Sequence, residues 1–103
     1  MNDPMQVLAR SRALWNRSHL DLRSDEILAQ ILDRGSTEDW RALYCLMSGG
    51  DAAVAADLRH RAHAILYSVP TGRPWFWLAA LKSLGEAVDW SRSPLCDPGF
   101  ADL

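Results

Sequence analysis

His60 and His63 stand three residues apart, a spacing that on a helix lets two imidazoles approach one metal ion. A closed site needs further ligands. The remaining candidates, Cys45, Cys96, His19 and Asp57, have no characteristic spacing from the pair. Both histidines also fall opposite the apolar positions Val54, Leu58 and Ile65, which directs them toward solvent. No metal site and no cofactor is expected. Nucleophilic chemistry finds as little, because neither Cys45 nor Cys96 has a histidine beside it in sequence. Gly49-Gly50-Asp51 lacks the lysine and the preceding strand of a phosphate loop, and reads as a turn capping a helix. Asp25 and Glu26 are consecutive and suit the positive end of a helix dipole better than an acid/base pair. No residue is assigned a catalytic role, and the chain reads as a non-enzyme.

The segment Arg59-His60-Arg61-Ala62-His63 resembles part of the motif of HEPN-type helical ribonucleases, which pair an arginine with a histidine. That motif needs a longer spacer than the three residues between Arg59 and His63, and one position further back stands Leu58. The resemblance ends with this fragment.

The more specific feature is aromatic. Residues 74–77 read Pro-Trp-Phe-Trp, in a chain that holds five tryptophans. Pro74 suits the first turn of a helix. On that helix successive side chains point about 100° apart, so Trp75, Phe76 and Trp77 cannot share one core. Trp77 continues into Leu81, Leu84 and Val88 and belongs to the interior. Trp75 and Phe76 point away from that stripe and need a cover: residues 89–103 with Trp90, Leu95 and Phe100, a second copy, or another protein.

Charge narrows the partner. The net charge is −2, unevenly spread. Residues 1–23 carry four arginines against two aspartates, residues 24–58 two arginines against seven acids, and residues 59–103 five bases against four acids. An acidic middle is a poor surface for phosphate backbones and suits a basic partner, with Asp33, Glu38 and Asp39 as the complementary set. Arg10, Arg12 and Arg17 near Trp15 form the one plausible nucleic-acid footprint and define the secondary reading. Lys82 is the sole lysine among eleven basic residues, which points to a GC-rich bacterial genome. There is no signal-peptide pattern and no apolar run long enough for a bilayer, so a soluble cytoplasmic protein without membrane contact is expected.

The elements that must position these groups are helical. Pro4 opens a first helix whose face is Val7, Leu8, Ser11, Leu14 and Trp15. Ser24 caps a second, apolar at Ile27, Leu28, Ile31 and Leu32, which Gly35 ends. Ser36 caps a third, with Trp40, Leu43, Tyr44 and Met47 on one face, and Gly49-Gly50 stop it. Asp51 opens a fourth, running to about Ser68, with Val54, Leu58, Ala62, Ile65 and Leu66 inward. The fifth runs from Pro74 to about Glu86. No segment alternates with a period of two. The expectation is an all-α single compact bundle of about five helices over residues 1–88, with short connections and an irregular tail at 89–103.

Two segments, Leu32-Asp33-Arg34-Gly35-Ser36 with Glu38-Asp39-Trp40-Arg41-Ala42-Leu43-Tyr44, and Phe76-Trp77-Leu78-Ala79-Ala80-Leu81 with Leu84-Gly85-Glu86, resemble those of short helical bacterial proteins. These are similar to antitoxin-like partners of nucleotidyltransferase toxins. The resemblance covers most of residues 7–88 and implies neutralisation by tight protein–protein binding, with no catalysis by this chain. The functional expectation is a protein-interaction module that binds a protein partner or itself, anchored by Trp75 and Phe76.

Overall fold

The computed structural model describes residues 3–11, 22–49 and 51–96. Five helices run through them: α1 (Pro4–Ala9), α2 (Asp25–Arg34), α3 (Thr37–Ser48), α4 (Ala52–Ser68) and α5 (Pro74–Ser83). The all-α bundle expected from periodicity is what forms. Among the described residues the β-structure is one isolated parallel bridge between Thr71 and Cys96. No helix there is long and apolar enough to cross a membrane.

Four of the five starts follow from the side chain that precedes them, and α5 opens on Pro74 without a side-chain cap. Asp3 accepts from the Met5 N–H at 2.8 Å, and Asp51 accepts from Ala53 and Val54 at 2.9 and 3.3 Å. At α3 the cap is reciprocal: the Asp39 N–H donates to Ser36 Oγ at 3.2 Å while the Ser36 N–H donates to Asp39 Oδ2 at 2.9 Å. Such a capping box satisfies two N–H groups that the first turn leaves without helical partners.

The α2–α3 connection turns on Gly35. This residue ends α2 as expected, but its φ is −64°, so it is not there for a left-handed conformation. It is there for space. A Cβ at position 35 would lie 2.5 Å from the Ile31 carbonyl oxygen and 2.7 Å from two atoms of the Trp40 indole. The indole fills that gap and donates Nε1–H to the Ile31 carbonyl at 2.8 Å.

The interior is assembled from Leu8 of α1, Leu28, Ile31 and Leu32 of α2, Leu43 and Met47 of α3, Leu58 and Leu66 of α4, and Trp77, Leu78 and Leu81 of α5. Trp77 is 1% exposed, the core role its register requires. Leu14 and Trp15 lie outside the described residues. On α4 the expected face needs a correction: Val54 is 54% exposed and Ala55 takes the inward position. The buried stripe runs through Ala55, Leu58, Ala62 and Ile65, and Val54 sits one residue, about 100°, off it. Arg61 of α4 bonds Asp25 at 2.8 Å and Asp57 at 3.0 Å, tying α4 to the start of α2. Burial works against the charge of this guanidinium, and the two carboxylates outweigh it.

α5 stops three residues earlier than its apolar pattern suggests. Gly85 adopts φ +99°, its N–H bonds the Lys82 carbonyl, and the Glu86 N–H bonds the Leu81 carbonyl. This is a Schellman terminator, for which glycine carries no Cβ penalty. Glu86 therefore leaves the helix and turns back to α4, where it meets Arg59 at 3.5 Å and His60 at 3.2 Å. The chain beyond it lies along the bundle: the Leu95 N–H bonds the Leu66 carbonyl at 3.1 Å and the Thr71 N–H bonds the Leu95 carbonyl at 3.4 Å.

Two substitutions check this packing by thermal or chemical unfolding. Gly35→Ala is expected to destabilise by about 1–3 kcal/mol, the cost of forcing a methyl into an occupied space. Trp77→Ala should cost about 3–5 kcal/mol. A neutral Gly35→Ala would show that the Trp40 indole can leave its seat freely.

Candidate interaction groove

α3 presents two faces. Ala42, Leu43 and Met47 pack inward, whereas Thr37, Trp40, Arg41, Tyr44 and Cys45 recur at i, i+3, i+4, i+7 and i+8 along a second face. On α5, Phe76, Trp77, Ala79 and Ala80 form the facing wall. The two faces border an open groove of about 1410 Å³. Its aromatic wall is continuous. Trp40 stacks on Phe76, centroids 5.0 Å apart at 23°, and meets Trp77 edge-on at 5.5 Å. Phe76 and Trp77 are themselves edge-to-face at 5.7 Å. Such offset and T-shaped contacts fix ring orientation through the aromatic quadrupole. Tyr44 Oη lies 3.0 Å from Ser83 Oγ, a further tie between α3 and α5.

The residues singled out from the sequence distribute unevenly over this geometry. Phe76 lines the groove and stays 53% exposed; Asp33 stands at its edge, 3.6 Å from Arg34. Trp75 is 48% exposed but lies outside the groove, stacked at 6.3 Å and 15° on Trp90. The segment after Glu86 thus gives one of the two exposed aromatics an aromatic neighbour, while Phe76 leans on Trp40 instead. Glu38 is exposed and does not line the groove.

Asp39 requires a correction. It is only 5% exposed, spent on the capping box and on a hydrogen bond from the Ser11 hydroxyl, two residues past the end of α1. A buried carboxylate already committed to two donors is not a contact for a partner. Arg10 is exposed just beyond α1, and Arg12 and Arg17 lie outside the described residues.

Sequence reasoning missed the groove's other components. Trp40 and Tyr44 read as core, since they keep helical spacing with Leu43 and Met47, yet Tyr44 is exposed and Trp40 half-buried. The arginines at the edge, Arg34, Arg41 and Arg73, come from chain regions of opposite net charge. The legible signal was Thr37, Trp40, Arg41 and Tyr44 at i, i+3, i+4 and i+7, a second amphipathic stripe on a helix that already had one.

The groups weighed for chemistry do not converge. His60 Nδ1 faces Glu86, whereas the His63 ring packs edge-on against Tyr67 at 5.4 Å, with Arg92 over the Tyr67 ring at 4.1 Å. Arg59, the arginine of the ribonuclease-like fragment, donates to the Met47 carbonyl at 2.7 Å. Cys45 and Cys96 are both exposed.

Two measurements follow. Asp39→Ala opens the capping box and removes the acceptor shared by the Ser36 N–H and the Ser11 hydroxyl, for an expected loss of about 1–3 kcal/mol in unfolding free energy. The second concerns Trp90, which sits in a turn held by Asp89 Oδ1, acceptor of the Ser91 hydroxyl at 2.6 Å and the Ser91 N–H at 2.9 Å. Those two bonds hold the Asp89 carboxyl below its usual range. A lowered value means the fold favours the ionised form, so the turn is supported above the usual carboxylate range and loses that support as pH falls through the depressed value. The near-UV circular dichroism of the Trp75–Trp90 pair should fade at that low pH, and Ser91→Ala should move the fading upward; a signal indifferent to both would uncouple the turn from the stack. Comparison with protein families, with curated proteins and with solved structures finds no match for this chain.

Proposed function

We propose that this protein is a non-catalytic interaction module that binds another protein through the α3–α5 groove. The observation that carries the reading is the Trp40–Phe76 stack: two large rings held in fixed orientation beside an open groove, with Phe76 more than half exposed. Rigid aromatic anchors of this kind supply much of the free energy of association, because little side-chain entropy is lost when a partner covers them. A finer form of the reading is neutralisation of a toxin-like nucleotidyltransferase. It rests on the resemblance of residues 32–44 and 76–86 alone.

Affinity capture from a lysate of the source organism tests the module. Ala79 is exposed and lines the groove, so Ala79→Trp obstructs it without entering the core. The same captured protein should be lost with Ala79→Trp. With the purified partner, Phe76→Ala should weaken binding about 30-fold, the equivalent of a hot-spot side chain worth about 2 kcal/mol. Val54→Ala, exposed and outside the groove, should bind as the parent does. Capture indifferent to both groove variants, with their folds intact, would refute this reading.

A further inference from the structure

Resting on that reading, we infer that the groove's occupant is an acidic amphipathic helix of a partner protein. Its size is the first argument. At about 1410 Å³ it exceeds the roughly 300–1,000 Å³ of small-molecule sites, which points to a polypeptide. Its shape is the second. The α3 wall is a helix face with side chains at i, i+3, i+4 and i+7, and Ala79 and Ala80 keep the α5 wall shallow, so a third helix can settle into the groove. From Thr37 to Cys45 the α3 face runs about 12 Å at 1.5 Å per residue, enough for two turns of a partner helix. A peptide that added as a β-strand would need a strand edge to pair with. The one bridge among the described residues, Thr71–Cys96, is not part of the groove.

Charge sets the sign of the occupant. The chain as a whole carries −2, yet among the described residues the groove is bordered by Arg34, Arg41 and Arg73 against Asp33. Apolar anchors on one face of the incoming helix would cover Trp40 and Phe76, and carboxylates flanking them would meet the arginines. This reverses the expectation of a basic partner. Of the acids behind that expectation, Asp39 is buried, Glu38 is outside the groove, and Asp33, at its edge, lies beside Arg34. A second copy of this chain is a poorer fit. Outside the groove and the Trp75–Trp90 stack its exposed large apolar residues are Met5, Val54, Val69 and Leu95, which form no i, i+3 or i, i+4 pair on an acidic helix among the described residues.

Fluorescence anisotropy of a labelled helical peptide of about 16 residues tests the inference on the intact chain. The probe carries Leu at i, i+3, i+4 and i+7 with Glu on its flanks. One control replaces each Glu by Lys and the other scrambles the Leu spacing. The acidic helix should bind at least ~10-fold tighter than either control and weaken with added salt. Arg34→Glu with Arg41→Glu should lower its affinity about 10-fold or more, and Ala79→Trp should abolish binding. Circular dichroism would confirm that both variants fold. Equal or tighter binding of the Lys peptide, lost with Ala79→Trp, would overturn the acidic assignment while keeping the groove as an interface. Equal binding of the scrambled peptide would overturn the helical assignment. If no peptide binds and the chain dimerises through a contact that Ala79→Trp breaks, the occupant is a second copy and the inference fails. Absence of both peptide binding and dimerisation also overturns it, and the lysate capture above decides separately whether the groove binds any protein.

Discussion

The seat of the Trp40 indole is the contact on which the rest of the structure depends. Its Nε1–H is bonded to the Ile31 carbonyl, its edge fills the space that Gly35 leaves, and its other side carries Phe76 and Trp77. One side chain therefore ties the turn from α2 into α3 to the first turn of α5. Because the polar edge of the ring is satisfied inside the protein, the remaining π-surface is available for packing. The interior beneath it, from Leu28 to Trp77, is ordinary close-packed apolar material. The groove above it exists because the same ring is only half-buried.

The distribution of charge has a corresponding physical logic. Carboxylates concentrate at helix starts, where the positive end of the dipole favours them: Asp3, Asp25 and Glu26, Glu38 and Asp39, and Asp51, of which Asp3, Asp39 and Asp51 also accept backbone N–H groups. Acids used in this way stabilise the fold and contribute little directed charge to the groove. Arg34 stands in the last turn of α2, where a cation is favoured, and Arg73 directly precedes α5. Arg41 lies within α3, so it is the fold rather than the helix termini that gathers the three arginines at the α3–α5 groove.

Termination matters as much as initiation. The Schellman turn at Gly85 releases Glu86 from α5 and returns it to Arg59 and His60 of α4, so that a helix end becomes a clasp between two helices. The chain then reaches the Asp89 turn and sets Trp90 against Trp75. The Pro-Trp-Phe-Trp run is thereby divided three ways: Trp77 to the core, Phe76 to the groove, and Trp75 to the following segment.

Most of the helices were legible in the sequence, because their starts are decided locally: a Ser or Asp side chain reaches an N–H two or three residues away whatever the rest of the chain does. The core assignment of Trp77 was legible for a similar reason, since helical geometry forces the three adjacent aromatics apart. The early end of α5 was harder to read, as Leu84 and Val88 keep helical spacing while Gly85 overrides it. The binding face could not be read, because it is a relation between elements. Trp40 and Tyr44 share a stripe with core residues, and only the approach of α5 leaves one half-exposed and the other exposed. Asp39 is chemically the same acid as Glu38, and only the Ser11 hydroxyl brought beside it and the closure of the capping box bury it. The sequence by itself determined the helices and their inward stripes, because capping and periodicity act over a few residues. Tertiary structure alone decided which aromatics remain exposed and which charges border the groove, because both depend on side chains distant in the chain meeting in space.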